Sequence, residues 1–301
     1  MLLSKLVKRA RELTNRRDRS FYIQRWVGDV EKRERYADAL AARLPRYQGI
    51  FNEEQVSTLR TEGYCPLSDI IRPSWIPEMV DYFNGRDCYD PYRPHLGHFR
   101  GPTNPPRETH VANYSIETVA GAPHAFAIAN HPQVLAVVAA MLGAKPTIAA
   151  MSAWWSLPRA DGKPEHAEMF HRDIDDYRFI KLFVYLTDVD EASGPHVFVR
   201  GSHRVNKHTE AKRRLPEDLV AREFGSDNIL RFVGPAGTVF LENTFGIHRG
   251  IPAATRPRLI FQVLYSLRPL IYSPKQPFLR SSGKDELARW DPYINRVYLR
   301  Q

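Results

Sequence analysis

Between residues 147 and 267 the chain lays down six apolar runs of strand length: 147–157, 179–187, 196–200, 228–233, 238–242 and 258–267. Turn signals separate them, among them Asp161-Gly162, Ser193-Gly194-Pro195 and Gly234-Pro235-Ala236-Gly237. No helical pattern alternates with these runs. Strands in series without crossover helices predict an antiparallel sandwich or barrel, not a parallel α/β sheet.

The half before residue 147 supplies the cover. Residues 27–43 are rich in charge and alanine and end at Pro45, which predicts a helix. Asn52 is placed to cap a helix over 52–62, with Glu53 and Glu54 in its first turn and Gly63 at its end. Tyr64–Leu67 reads as a short strand, 74–84 as a helix ended by Gly85, and 131–142 as a helix with Pro132 early and Gly143 after it. Residues 85–109 carry Pro91, Pro94, Pro102, Pro105 and Pro106 with Gly97 and Gly101. That density forbids long regular structure, and a loop of this length reads as a lid over a site or as a surface excursion. Its His95, His98, Arg93, Arg100 and Arg107 hint at an anionic or hydroxylated metabolite.

The net charge of +9 is uneven. Residues 1–50 hold 13 Lys+Arg against 6 Asp+Glu, whereas the other 251 hold 30 against 28. A body this close to neutral excludes a whole-protein nucleic-acid footprint. Within residues 1–20, Leu2, Leu3, Leu6, Val7, Ala10 and Leu13 recur at helical spacing between basic residues. The pattern fits weak contact with an anionic membrane surface, or a terminal helix packed on the domain with a solvated basic face. No run is long enough to span a membrane, and the charged N-terminus offers no signal-peptide apolar core. Two cysteines, Cys65 and Cys88, give no disulfide framework and no zinc-finger spacing. A cytoplasmic location is the expectation.

The chemistry gathers around His171-x-Asp173. On an extended segment, residues i and i+2 point to one side, so both side chains can reach one metal ion. His248 follows the apolar run Thr238–Leu241, and Arg258 heads the next run ten residues later. Two histidines, one carboxylate and open positions are the donor set of non-heme Fe(II) oxygenases. A lone H-x-D also fits a surface histidine beside an acidic turn, and the same donors could serve a zinc hydrolase; the ordered set is the more specific signal. On strand 179–187, Ile180, Leu182, Val184 and Leu186 share one face, which leaves Lys181, Phe183, Tyr185 and Thr187 on the other. On strand 258–267, Leu259, Phe261, Val263 and Tyr265 share a face, opposite Arg258, Ile260 and Gln262. Cations on two neighbouring inner faces predict a small dicarboxylate partner, for which arginine is the suited grip. Trp154 and Trp155 are adjacent on a strand, so one faces the core and the other the cavity.

The span Phe170–Arg204, with Leu186-Thr187-Asp188-Val189-Asp190, Ser193-Gly194-Pro195 and Gly201-Ser202-His203, resembles the phytanoyl-CoA dioxygenase family of Fe(II)/2-oxoglutarate oxygenases. So does the pair of stretches that hold His248 and Arg258. The resemblance covers roughly residues 50–268 and is clearest over 130–268. It implies a mainly β fold, a double-stranded β-helix (jelly-roll, cupin-like) core covered by N-terminal α-helices. It implies Fe(II) on His171, Asp173 and His248, with the distal carboxylate of 2-oxoglutarate on Arg258. It also implies hydroxylation of a small molecule by O2, with release of succinate and CO2. Gly250 stands where family members often carry a hydroxyl residue, and Arg172 where a glutamine is known in relatives. Lys181 and Arg256 are the candidate compensators toward the co-substrate. Asp173 disfavours the halogenase variant, which lacks the carboxylate ligand.

The expected organisation is a basic helical extension over 1–45, an oxygenase domain over 46–268 and a tail over 269–301 packed on it. His196, Arg200, His203 and the 85–109 loop are the expected substrate contacts at the cavity mouth. His110, His124, His131, His166 and His208 are expected to be structural or on the surface. Two other readings remain: a catalytically silent jelly-roll that binds or senses, and a membrane-surface protein acting through its basic helix.

Overall fold

The computed structural model describes residues 21–159, 163–210, 213–280 and 286–300. The basic amphipathic stretch 1–20 and the Asp161-Gly162 turn lie outside the described residues. Helices α1 (Val30–Ala41) and α2 (Glu53–Glu62) lead into strand β1 (Tyr64–Leu67) and helix α3 (Trp75–Asn84). Strands β2 (Asp87–Tyr89), β3 (His98–Arg100) and β4 (Val111–Asn113) precede α4 (Ile116–Ala120), α5 (Ala125–Ala129) and α6 (Pro132–Leu142). Then come β5 (Thr147–Ser156), β6 (Phe179–Tyr185), β7 (His196–Val199), α7 (Glu217–Phe224) and β8 (Ile229–Phe232). The chain closes with β9 (Val239–Glu242), β10 (His248–Gly250), β11 (Arg258–Ser266), β12 (Leu279–Arg280) and β13 (Leu299–Arg300).

All six apolar runs are strands. Their pairing makes a jelly-roll: one large antiparallel sheet in the order β1-β9-β6-β11-β5-β4-β2-β3 faces a small one in the order β10-β7-β8. The local signals act as expected. The Asn52 side chain accepts from the N–H groups of Glu54 and Gln55, and Gly63 ends α2 at φ 88°. Pro132 opens α6 and Gly143 ends it at φ 76°.

Alternation along the central strands sorts the two faces. Ile180, Leu182, Val184, Leu259, Phe261, Val263 and Trp155 join the main core under α6, which adds Val134, Val137, Val138 and Leu142. Each such side chain contributes about 1.5–3 kcal/mol on burial. On the opposite face Phe183, Tyr185, Phe240 and Ile260 pack against Phe232 of the small sheet, with Trp154 beside them. The space between the sheets is therefore apolar on one flank and open on the other.

The loop 85–109 is more ordered than its prolines predict. Strands β2 and β3 form an antiparallel pair that extends the edge of the large sheet. The turn between them starts at Asp90, whose carboxylate accepts from the N–H groups of Tyr92 and Arg93. Strand β10 is too short and too polar (His-Arg-Gly) for an apolar pattern to find. Described parts of both ends contact the body. Ala37 and Ala41 of α1 enter the main core, and the hydroxyl of Tyr298 accepts the N–H of Met151 at 2.6 Å.

Candidate active site

Two histidines meet across one antiparallel bridge. The N–H of His171 donates to the carbonyl of His248, and the N–H of His248 donates back, both at 2.9 Å. Side chains of such a directly paired couple lie on the same face of the sheet. The rings stand 4.3 Å apart. Each ring is oriented by its own chain: His171 Nδ1 bonds the carbonyl of Met169 at 2.8 Å, and His248 Nδ1 bonds that of Gly246 at 2.9 Å. A carbonyl can only accept, so each Nδ1 carries a proton, and each Nε2 is the ring nitrogen turned toward Asp173. Asp173 follows at i+2, fixed by its N–H to the carbonyl of Thr244. Its oxygens lie 3.6 Å from His171 Nε2 and 3.3 Å from His248 Nε2. One ligand atom from each of the three residues falls within 4.8 Å of the others, which is the span one metal ion needs.

The charges around this cluster are strongly biased. Burial and the neighbouring His248 hold the His171 pKa down to about 3, so its ring is neutral. Burial alone would raise Asp173, but Lys181, His248 and His171 overcome it and hold the carboxyl well below its usual range. Lys181 Nζ contacts Asp173 Oδ2 at 2.6 Å and Asp175 Oδ2 at 3.0 Å. Behind them lies Glu242, wholly buried, with its pKa pushed up to about 8 by burial. It meets His196 Nε2 at 2.8 Å.

A cavity of about 280 Å³ opens over the cluster. Arg258 lies in its far wall and is buried to 3% exposure. It donates to the carbonyl of Gly194 and, at 3.0 Å, to the hydroxyl of Ser156. Its Nε has no partner, and no carboxylate pairs with it among the described residues. A buried cation without an anion is costly, so the wall fits an acidic ligand. Ser156 sits there because β5 and β11 pair in register, Ser156 opposite Arg258. The hydroxyl expected at position 250 thus comes from another strand. Gly250 adjoins the same guanidinium, where an added Cβ would stand 3.4 Å from its Nη2.

The other expected site residues fall into two groups. Lys181 lines the cavity on the Asp173 side, away from a role beside Arg258. His196 also lines it, but on the floor against Glu242 and Phe183 rather than at the mouth. His203 and Arg200 do not line it. The ring of His203 turns back to donate to the carbonyl of Arg60 at 3.0 Å. Arg200 is bound to the side chain of Asn228 at the surface. The Gly-Ser-His turn after β7 packs on the end of α2, where the Gly201 N–H donates to the carbonyl of Glu62, and not at the mouth. Arg256 is exposed and pairs with Asp190. Arg172 points to the back of the segment, donating to the carbonyls of Phe245, Ser202, Val205 and Lys207.

The mouth is built by residues that the sequence pattern leaves unmarked. Tyr92, from the β2–β3 turn, lines the cavity and stacks on His166 with ring centroids 3.7 Å apart. Glu168 is buried beside it and bonds His110 Nδ1 at 2.9 Å. Two of the basic residues of the loop are already ion-paired: Arg93 with Asp90 and Glu165, and Arg100 with Asp87. Trp154, not Trp155, faces the cavity, beside Asn113, Ser152 and Gln262.

Residues 59–255 match the profile of the phytanoyl-CoA dioxygenase family. The chain belongs to that family. No curated protein matches its sequence. Among solved structures this family member is similar to EctD from S. alaskensis with 2-oxoglutarate and 5-hydroxyectoine bound. The TM-score is 0.53 at 18% identity, over 86% of this chain and 92% of that one. EctD from S. alaskensis with bound Fe gives 0.52 at 18% identity, over 74% and 83%. HygX from Streptomyces hygroscopicus, with nickel and 2-oxoglutarate, gives 0.49 at 16% identity, over 81% and 96%. The EctD match agrees with the jelly-roll. Among the described residues of this dioxygenase-family chain, no helix is long and apolar enough to cross a membrane.

Proposed function

We propose that this protein is an Fe(II)- and 2-oxoglutarate-dependent dioxygenase that hydroxylates a small-molecule metabolite at an unactivated C–H bond. Succinate and CO2 are the co-products. The observation that carries the reading is one cavity holding both a His171/Asp173/His248 cluster and the unpaired buried guanidinium of Arg258. The donor set is nitrogen and oxygen only, as suits an iron that works with O2. Cys65 and Cys88 are buried elsewhere as free thiols.

Fe(II) with 2-oxoglutarate supplies the oxidising power: one oxygen atom of O2 enters the substrate C–H bond and the other enters succinate. The chain's own residues supply the rest. His171, Asp173 and His248 would hold the metal through the two Nε2 atoms and a carboxylate oxygen. Arg258, steadied by Ser156 and the Gly194 carbonyl, grips the far carboxylate of the co-substrate. Trp154, Phe183, Ile260 and Tyr92 exclude water from the substrate side. With Arg93 and Arg100 already paired, neither adds a free positive charge that would favour an anionic substrate over a neutral one.

The test is anaerobic reconstitution with Fe(II) and 2-oxoglutarate, followed by O2 and measurement of succinate. Substrate-stimulated succinate release that vanishes in a folded, iron-free His171→Ala variant is expected. Stoichiometric Fe(II) binding by His171→Ala, or no 2-oxoglutarate consumption with any metabolite, would sink the reading.

A further inference from the structure

Lys181, which holds Asp173, also holds a second carboxylate that the triad does not use. Asp175 follows two residues after Asp173, where the chain bends, and Lys181 brings the two carboxylates together. Arg172 and Ile174 face away: Arg172 to the back carbonyls, Ile174 into a small core with Phe179 and Phe245. Asp175 is buried to 5% exposure. Its one ion-pair partner among the described residues is Lys181, which also holds Asp173. The two carboxylates therefore sit on a single ammonium, with the metal ligand on one side of it and an unused ligand on the other.

That arrangement matters for the number of positions a metal keeps open. A His/Asp/His face leaves three positions, and a chelating 2-oxo acid with O2 requires all three. A hard, buried carboxylate next to the metal would take one of them, and added ligand charge tightens cation binding. Closed shells of four protein ligands belong to structural rather than catalytic sites. Something must restrain Asp175, and the geometry offers one restraint.

We infer that Lys181 is a positioning residue that holds Asp175 out of the metal's coordination shell, so that two neighbouring carboxylates supply one ligand. The inference rests on the iron and 2-oxoglutarate reading above. It assigns Lys181 to the carboxylates and not to the co-substrate. The backbone of Lys181 is fixed on β6, opposite Glu242 of β9, and its ammonium is held by the two carboxylates. Its ammonium stands 5.9 Å from the centroid of the Phe179 ring.

The test uses the full chain and reads binding rather than turnover. Fe(II) affinity is measured anaerobically against a competing chelator, and Co(II) affinity in parallel. 2-Oxoglutarate binding is read from the visible charge-transfer band that its chelation of Fe(II) produces. Lys181→Met, close in shape and uncharged, is expected to bind either metal about tenfold tighter or more, because a carboxylate is gained. It is also expected to lose the 2-oxoglutarate band. Lys181→Met/Asp175→Asn should regain the band and return to wild-type metal affinity, a rescue that a purely structural role for Lys181 does not produce. Asp175→Asn alone should change neither reading, and it serves if Lys181→Met does not fold.

Three results overturn the inference. The band persists in Lys181→Met, the double variant fails to restore it, or Asp175→Asn alone weakens metal binding. If wild-type protein with Fe(II) shows no band at all, the functional reading fails instead. The Co(II) affinities still decide the role of Lys181 in that case.

Discussion

The floor of the cavity and its mouth are held by different physics. On the floor, His171 and His248 are fixed by a reciprocal backbone pair and by two carbonyls from their own strands. For these two histidines every such partner is sheet or sheet-adjacent backbone, buried and short in reach. At the mouth, the 85–93 stretch is tied to the 163–170 stretch by side chains. Arg93 and Arg159 each reach Glu165 at 2.8 Å, His110 reaches it at 3.2 Å, and Tyr92 stacks on His166. Glu165 keeps 30% of its side-chain surface exposed. Ligand positions that must hold to a few tenths of an ångström sit on strands. Groups that must let a substrate pass are joined by contacts of small individual strength.

The strongest way to break that contrast is to loosen the floor from behind. Arg172 is buried to 6% exposure and donates to four backbone carbonyls, three of them in the 202–207 turn and one at Phe245. Phe245 also lies under its guanidinium, 5.2 Å away. Burial pulls the Arg172 pKa down to about 9, still charged at neutral pH. Arg172→Met leaves those carbonyls unsatisfied, and the expected loss is about 3 kcal/mol. A thermal midpoint roughly 5–10 °C lower is the readout. Fe(II) affinity should fall with it, because the flanking His171 and Asp173 lose their backing. A midpoint within a degree of wild type would mean the arginine is incidental.

The site was legible where chemistry follows from spacing along one segment. His171-x-Asp173, and Lys181 on an inner face, need only the strand's two-residue period. Arg258 at a strand head was legible for the same reason. What required a cross-strand register was not. Ser156 looks like any strand-end serine until β5 is laid against β11, and Glu242 ends an apolar run with nothing to mark it as buried. Tyr92 could not be singled out within a proline-rich loop. His203 and Arg200 misled because a Gly-Ser-His turn after a strand has no sign of which way the chain wraps.

Ser156 gives the next, smaller test. Ser156→Ala should raise the 2-oxoglutarate KM about fivefold, the loss of roughly 1 kcal/mol for one hydrogen bond to a charged donor. kcat should stay near wild type, since the metal end is untouched. Adding Gly250→Ser puts a hydroxyl back beside Arg258 from the small sheet, where the Cβ clears the guanidinium. Recovery of KM in that double variant would show that the wall needs a hydroxyl and is indifferent to which strand supplies it. Failure to recover would mean that the Ser156 geometry itself is needed.

The mouth should give the smallest effect, and one with a direction in pH. Hydrogen bonds from Arg159 and Arg93 hold the Glu165 carboxyl at about 2, below an ordinary glutamate. A depressed carboxyl stabilises the fold above its unfolded-state pKa of about 4.3, and that contribution is lost as the pH falls from there through about 2. Glu165→Gln should therefore cost under about 1 kcal/mol at pH 7, in keeping with partly exposed ion pairs. Urea unfolding should show the gap between wild type and variant narrowing at pH 3. Floor variants such as Arg172→Met carry no such carboxylate and should keep their deficit at both pH values. A Glu165→Gln deficit that is large, or the same at pH 3 as at pH 7, would mean that the mouth is held by packing of Tyr92 on His166 and not by charge. The contrast between a backbone-built floor and an ion-paired mouth would then collapse into a single rigid cavity.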